Sequence, residues 1–185
     1  MSDTKSRKEG RSGSGLTFES LRPDAHDLSP SDFEERNGSA FLLLTAADLR
    51  KPAGPAMTEV ALADIDEPGS ERTAGLSLLA YPLRRTGRSV GHLVTVGRTS
   101  NNDVVIPDVS VSRFHAFVKP TDDGRFQIQD TRSTNGTTVN GTSVPAQGHG
   151  PAVDLKSGDS VRLGQVELTF LSAEALQKFV LAYKS

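Results

Sequence analysis

The chain contains no cysteine, which excludes disulfides and thiolate metal sites. It has no run near the roughly 18 apolar residues that a membrane-spanning helix requires, so no membrane insertion is expected. Aromatic residues make up only 5% of the chain, and the basic cluster Arg84, Arg85 and Arg88 is small, so a nucleic-acid partner is not expected. The opening stretch, MSDTKSRKEGRSGSG, carries basic residues with no apolar segment behind them. It cannot serve as a secretory leader, and a cytoplasmic protein is expected. There is no phosphate-binding P-loop, no G-x-G-x-x-G and no G-x-S-x-G elbow. The four histidines (His26, His92, His115 and His149) show no metal-ligand spacing. No metal or cofactor is expected, and no enzyme.

What is present is a chain of 185 residues, 35% of them hydrophobic, enough for one modest core with residues left for tails. Residues 1–15 are Gly, Ser and charge and read as a disordered tail. Residues 16–71 hold four basic and twelve acidic side chains, whereas residues 72–171 hold eleven basic and eight acidic. The acidic stretch reads either as a solvated linker or as a segment that contacts the basic loops of its own chain. Phosphorylation of a threonine there would strengthen such a contact; Thr4, Thr17, Thr45, Thr58 and Thr73 are candidates, Thr17 being the most accessible choice. Within it, SPSDFEERN offers Ser29 or Ser31 as the cap of a short helix beside Pro30. AFLLLTAADL (residues 40–49) is a buried strand or a helix fragment, and periodicity does not separate the two. The whole of 16–71 is taken as a largely irregular extension, docked at most in part.

From residue 75 the pattern is of strands. GLSLLAYPL, GHLVTVGR, DVVIPD, HAFVKP, RFQIQD, SVRLG and QVELTF are short, β-rich and separated by turn residues. TTVNGTSV is a hairpin signal, because Asn140-Gly141 accepts positive φ at both turn positions. About ten such strands in about 100 residues imply an all-β sandwich or barrel. The end, SAEALQKFVLAYKS, differs: Ser172 can cap a helix that carries Leu176, Phe179, Val180 and Tyr183 on one stripe. That helix, 172–185, is expected to pack on the sandwich.

VSVSRFHAFV (residues 109–118) puts Ser112, Arg113 and His115 within four positions. A nucleophile and its base would need an orienting third group and an oxyanion hole, and nothing in the sequence supplies them. An anion site fits better. Arg98 ends one strand, Ser112 and Arg113 lie in one interstrand loop, and Thr134 and Asn135 lie in another. A sandwich gathers such loops at its ends. Guanidiniums and hydroxyls there can hold a phosphate, and an amide can pair with a peptide backbone.

Three blocks, GRTSNNDVVIPDVSVSRFHA, DTRSTNGTTVNG and SGDSVRLG, resemble the motif blocks of the forkhead-associated (FHA) domain over about residues 75–171. The resemblance implies an FHA-type β-sandwich of about eleven short strands, spanning 72–171, that binds phosphothreonine peptides through loops at one end. It implies that Arg98, Ser112 and Thr134 contact the phosphate, that Arg113 contacts it or the adjacent peptide, and that Asn135 holds the peptide backbone. Gly97, His115 and Gly136 fall at structural positions. The implied partner is a threonine-phosphorylated protein or a Ser/Thr protein kinase; the alternative is an FHA-fold scaffold that binds its partner without phosphate. Arginine outnumbers lysine fourteen to seven, which hints at a bacterial source.

Overall fold

The computed structural model describes residues 15–45, 78–86 and 92–183. The expected tail, Arg88, the acidic residues of 46–71 and the candidates Thr4, Thr58 and Thr73 lie outside the described residues.

Two sheets face one another. The smaller has the order β10 (Val153–Leu155), β7 (Phe126–Asp130), β6 (Ala116–Pro120), β4 (Val94–Gly97) and β5 (Val104–Val105), with only the β4–β5 pair parallel. The larger has the order β1 (Leu16–Thr17), β3 (Leu78–Pro82), β2 (Ala40–Thr45), β12 (Val166–Ser172), β11 (Ser160–Leu163), β8 (Thr137–Val139) and β9 (Thr142–Ser143). The core between them is built by alternate residues of each strand, among them Val94, Val96, Val118, Ile128, Val161, Leu163, Leu168 and Phe170. The hairpin falls where the sequence places it: Val139 faces Thr142 across Asn140 and Gly141, whose φ angles are 50° and 78°.

The N-terminal extension is not irregular over residues 16–45. It forms β1, α1 (Phe18–Asp27), α2 (Pro30–Asn37) and β2, and β2 lies inside the larger sheet, paired with β12 on one side and β3 on the other. Its burial explains why periodicity could not assign it. Ala40, Leu42 and Leu44 enter the core between the sheets, while Phe41 and Leu43 enter a second core on the outer face. Both faces are apolar, so no alternation survives.

The second core sits under a layer of three helices. Phe18, Leu21 and Ala25 of α1, Phe33 of α2, and Ala173, Leu176 and Val180 of the C-terminal helix α3 (Ala173–Ala182) cover Phe41, Leu43, Leu78 and Ala80. Each helix has a side-chain cap. Thr17, Ser29 and Ser172 accept from the backbone N–H three residues on, and Pro30 follows Ser29 at the first helical position. Buried Gln177 donates to the carbonyls of Ala25 (3.1 Å) and Leu28 (2.9 Å), tying α3 to the end of α1.

Two consequences correct the sequence reading. Thr17 does not belong to a free tail: it is half-buried, opposite Leu79 in the sheet, and caps α1. Six of the twelve acidic residues of 16–71 (Glu19, Asp24, Asp27, Asp32, Glu34 and Glu35) are fixed in α1 and α2. Asp24 pairs with Arg36 at 3.2 Å.

Candidate functional site

Three loops meet at one end of the sandwich: those after β4, after β5 and after β7. Their backbones are joined before any ligand is considered. Gly97 ends β4 against the carbonyl of Arg113, so closely that a Cβ on it would lie 2.3 Å from that oxygen. Only glycine permits the approach, because the clash is with backbone. The Arg98 N–H then donates to the Ser112 carbonyl (3.0 Å). Fully buried Asn102 donates from Nδ2 to the carbonyls of Arg113 (2.7 Å) and Thr99 (2.9 Å). Buried Ser110 is held by Asp108, accepts from the Gln165 N–H (3.0 Å), and offers its carbonyl to Asn135 Nδ2 (2.8 Å). Gly164, with φ 62°, leaves room for the Ser110 carbonyl.

His115 is fully buried between two of the loops. Its Nδ1 accepts from the Ser112 N–H (2.9 Å), so Nε2 carries the proton and donates to the Gly136 carbonyl (3.1 Å). Burial pushes its pKa below the usual value, against the smaller opposing pulls of the Gly136 carbonyl and of Asp130. Both ring nitrogens are engaged with backbone, and neither meets Ser112 Oγ. The serine and histidine are therefore not a nucleophile and its base.

Asp130, also buried, anchors the loop after β7. Burial alone would raise its pKa. Hydrogen bonds from Ser133 Oγ (2.6 Å), Thr137 Oγ1 (2.7 Å) and the Ser133 N–H (2.9 Å) outweigh that and hold it below the usual carboxylate range.

The loops enclose a groove of about 370 Å³ whose lining includes Arg98, Ser112, Arg113, Phe114, Arg132 and Thr134. Ser112 Oγ accepts from the Thr134 N–H (3.0 Å) and lies 3.5 Å from Thr134 Oγ1. Both hydroxyls can still turn a proton toward an anion. Phe114 (52% exposed) and Val109 (48% exposed) give the same groove an apolar rim. The structure thus brings together Arg98, Ser112, Arg113 and Thr134. Asn135 stands behind them, its amide group committed to the Ser110 carbonyl and its exposed side chain beside the groove. Gly97, His115 and Gly136 support the loops from below. Sequence reasoning did not single out Asn102, Ser110, Gly164 or Arg132, although all four lie within the quoted blocks. Among the described residues no carboxylate forms a salt bridge with Arg98, Arg113 or Arg132. No group of residues there is arranged to hold a metal, and no helix is long and apolar enough to cross a membrane.

Comparison with known proteins concerns the stretch that carries these loops. Residues 94–164 match the FHA domain family model. The chain is 41% identical over 106 residues to an ABC transporter ATP-binding/permease protein of Mycobacterium tuberculosis, covering 55% of this chain and 11% of the relative. It is 40% identical over 78 residues to the glycogen accumulation regulator GarA of Mycolicibacterium smegmatis, covering 42% of this chain and 45% of the relative. The chain therefore spans less than half the length of either protein. Among solved structures, the FHA-2 domain of the Mycobacterium tuberculosis ABC transporter Rv1747 is 40% identical, with 49% of this chain and 82% of that one covered and a TM-score of 0.36. With its motif blocks in order, its sandwich of two sheets and identity across most of a solved FHA domain, the chain belongs to the forkhead-associated (FHA) domain family.

Proposed function

We propose that the protein reads phosphothreonine in a partner protein, acting in the cytoplasm as an adaptor downstream of a Ser/Thr protein kinase. The observation that carries this reading is the convergence of Arg98, Arg113, Ser112 and Thr134 on one groove that no carboxylate of the described residues neutralises. Guanidiniums supply planar donors of fixed charge, and charge-assisted bonds to phosphate are about twice as strong as neutral ones. The hydroxyls complete a set of donors around a tetrahedral dianion. Asn135, fixed through its Nδ2, keeps its carbonyl oxygen for a peptide N–H. A phosphothreonine methyl meets the apolar rim, so phosphoserine binds more weakly; one buried methyl contributes roughly 1 kcal/mol.

The affinity for a single phosphothreonine peptide is on the order of micromolar, or about -8 kcal/mol. An oriented phosphothreonine peptide library, screened against the full chain, tests this. Enrichment of phosphorylated over unphosphorylated sequences supports it. Equal recovery of both would favour the phosphate-independent scaffold.

A further inference from the structure

We propose that the groove takes a phosphothreonine accompanied by a second negatively charged group in the same peptide, and that Arg132 selects it. The inference rests on the phosphothreonine reading above and adds a specificity determinant to it.

The charge of the groove is larger than one phosphothreonine needs. Its lining holds three arginines, Arg98, Arg113 and Arg132, and no carboxylate. A phosphothreonine carries about -1.5 to -2 at neutral pH, which two guanidiniums match. Arg132 is the surplus cation, and among the described residues no acidic side chain pairs with it.

Arg132 is also held in an unusual way. Its φ is 64°, in the left-handed region that non-glycine residues seldom occupy. Both of its neighbours are anchored. The Thr131 N–H donates to the His115 carbonyl and Thr131 Oγ1 to the Phe114 carbonyl, while Ser133 is bonded through both N–H and Oγ to Asp130. A glycine would fit this backbone with less strain, yet the chain places its longest cationic side chain here. Strained positions fixed by their surroundings occur at ligand clamps. The guanidinium extends beside the turn at Gly148, where an added Cβ would lie 3.6 Å from Nη2. Arg132 lines the same groove as Ser112 and Thr134. A glutamate or aspartate, or a second phosphorylated residue, presents the chemistry that a guanidinium binds there.

The test is a calorimetric titration of the full chain with peptides built on one phosphothreonine. One has neutral flanks. A second set moves a single glutamate through the flanking positions, and a third moves a second phosphothreonine through the same positions. In the native chain, at least one position is expected to bind about tenfold more tightly than the neutral-flanked peptide. Arg132→Gln and Arg132→Gly reduce that ratio to about one, and Arg132→Lys recovers part of it. The glycine variant is expected to melt no lower than the native chain, so loss of the ratio is not loss of the fold. Gain with glutamate identifies an acidic flank; gain with the second phosphate alone identifies a doubly phosphorylated partner. If no position gains, or if the gain survives in Arg132→Gln, the role of Arg132 is overturned while binding of the neutral-flanked peptide leaves the phosphothreonine reading in place. If no phosphopeptide binds, both fall.

Discussion

The backbone N–H of Ser112 donates to Nδ1 of His115, three residues further on, at 2.9 Å. That bond requires the neutral ring, because a protonated Nδ1 would turn an N–H against an N–H. The ring is buried and its pKa is lowered from 6.5, chiefly by desolvation. The unfolded chain therefore takes up this proton at higher pH than the folded one. The stabilisation is complete above the unfolded value and is lost as pH falls from about 6.5 toward the folded value, by up to about 1.4 kcal/mol per pH unit. Melting temperature against pH is expected to show this slope in the native chain and to lose it in His115→Asn. Asp130, held below 3.8, acts in a separate and more acidic window: its contribution persists above that value and is lost below it.

His115→Ala leaves the Ser112 N–H without its partner, at a cost of about 1–3 kcal/mol, while the Gly136 carbonyl keeps the Gly164 N–H. Thermal stability is expected to fall first, and phosphopeptide affinity to follow. A variant with the native melting temperature and no binding would place His115 in direct contact with the ligand.

Gly97→Ala forces a Cβ to within 2.3 Å of the Arg113 carbonyl and 2.8 Å of Asn102 Nδ2. The loop after β5 has to move, carrying Ser112 and Arg113 with it. Overpacking of this kind costs about 1–3 kcal/mol. The expected result is lower stability together with weaker binding, read by thermal melts and phosphopeptide titration of the same preparation. Native behaviour in both would show that the close approach is dispensable.

Removing residues 1–45 strips β2 from between β3 and β12 and uncovers Phe170, Leu168 and the second core. The shortened chain is expected to aggregate or unfold, although it retains every residue matched by the family model. The milder Phe41→Ala keeps the strand and costs about 3–5 kcal/mol through the cavity it leaves. Chemical denaturation measures the second effect. A stable, monomeric chain beginning at residue 46 would contradict the account of the larger sheet.

The parts of this fold that were legible in the sequence are those whose residues alternate between apolar and polar, or that carry a turn signal. RFQIQD and QVELTF alternate, and Asn140-Gly141 announces its turn. Phe41 and Leu43 were not legible, because β2 is covered by the opposite sheet on one face and by helices on the other, and a strand buried on both sides has no period to read. Of the helical layer, the Ser29 cap of α2 and the Ser172-capped α3 were legible, whereas α1 is short, rich in charge and finds its core only against β2, β3 and α3. At the site, Arg98 and Ser112 were visible through the motif blocks. Asn102 was not singled out, because its work is done through backbone carbonyls of Thr99 and Arg113 that no residue pattern reveals. Arg132 was not singled out either, because its backbone conformation and its place in the groove exist only in the fold.

The central claim is that the arginines around Ser112 hold a phosphate. Arg98 tests it most directly: its side chain is exposed and lines the groove, while its fixed backbone N–H bond to the Ser112 carbonyl does not depend on the side chain. Truncating one partner of a charge-assisted pair costs about 2–5 kcal/mol. Calorimetry of the full chain with a phosphothreonine peptide is expected to show micromolar binding in the native protein and no measurable heat in Arg98→Ala, with the two proteins melting alike. Equal affinity of Arg98→Ala and the native chain for that peptide would contradict the account.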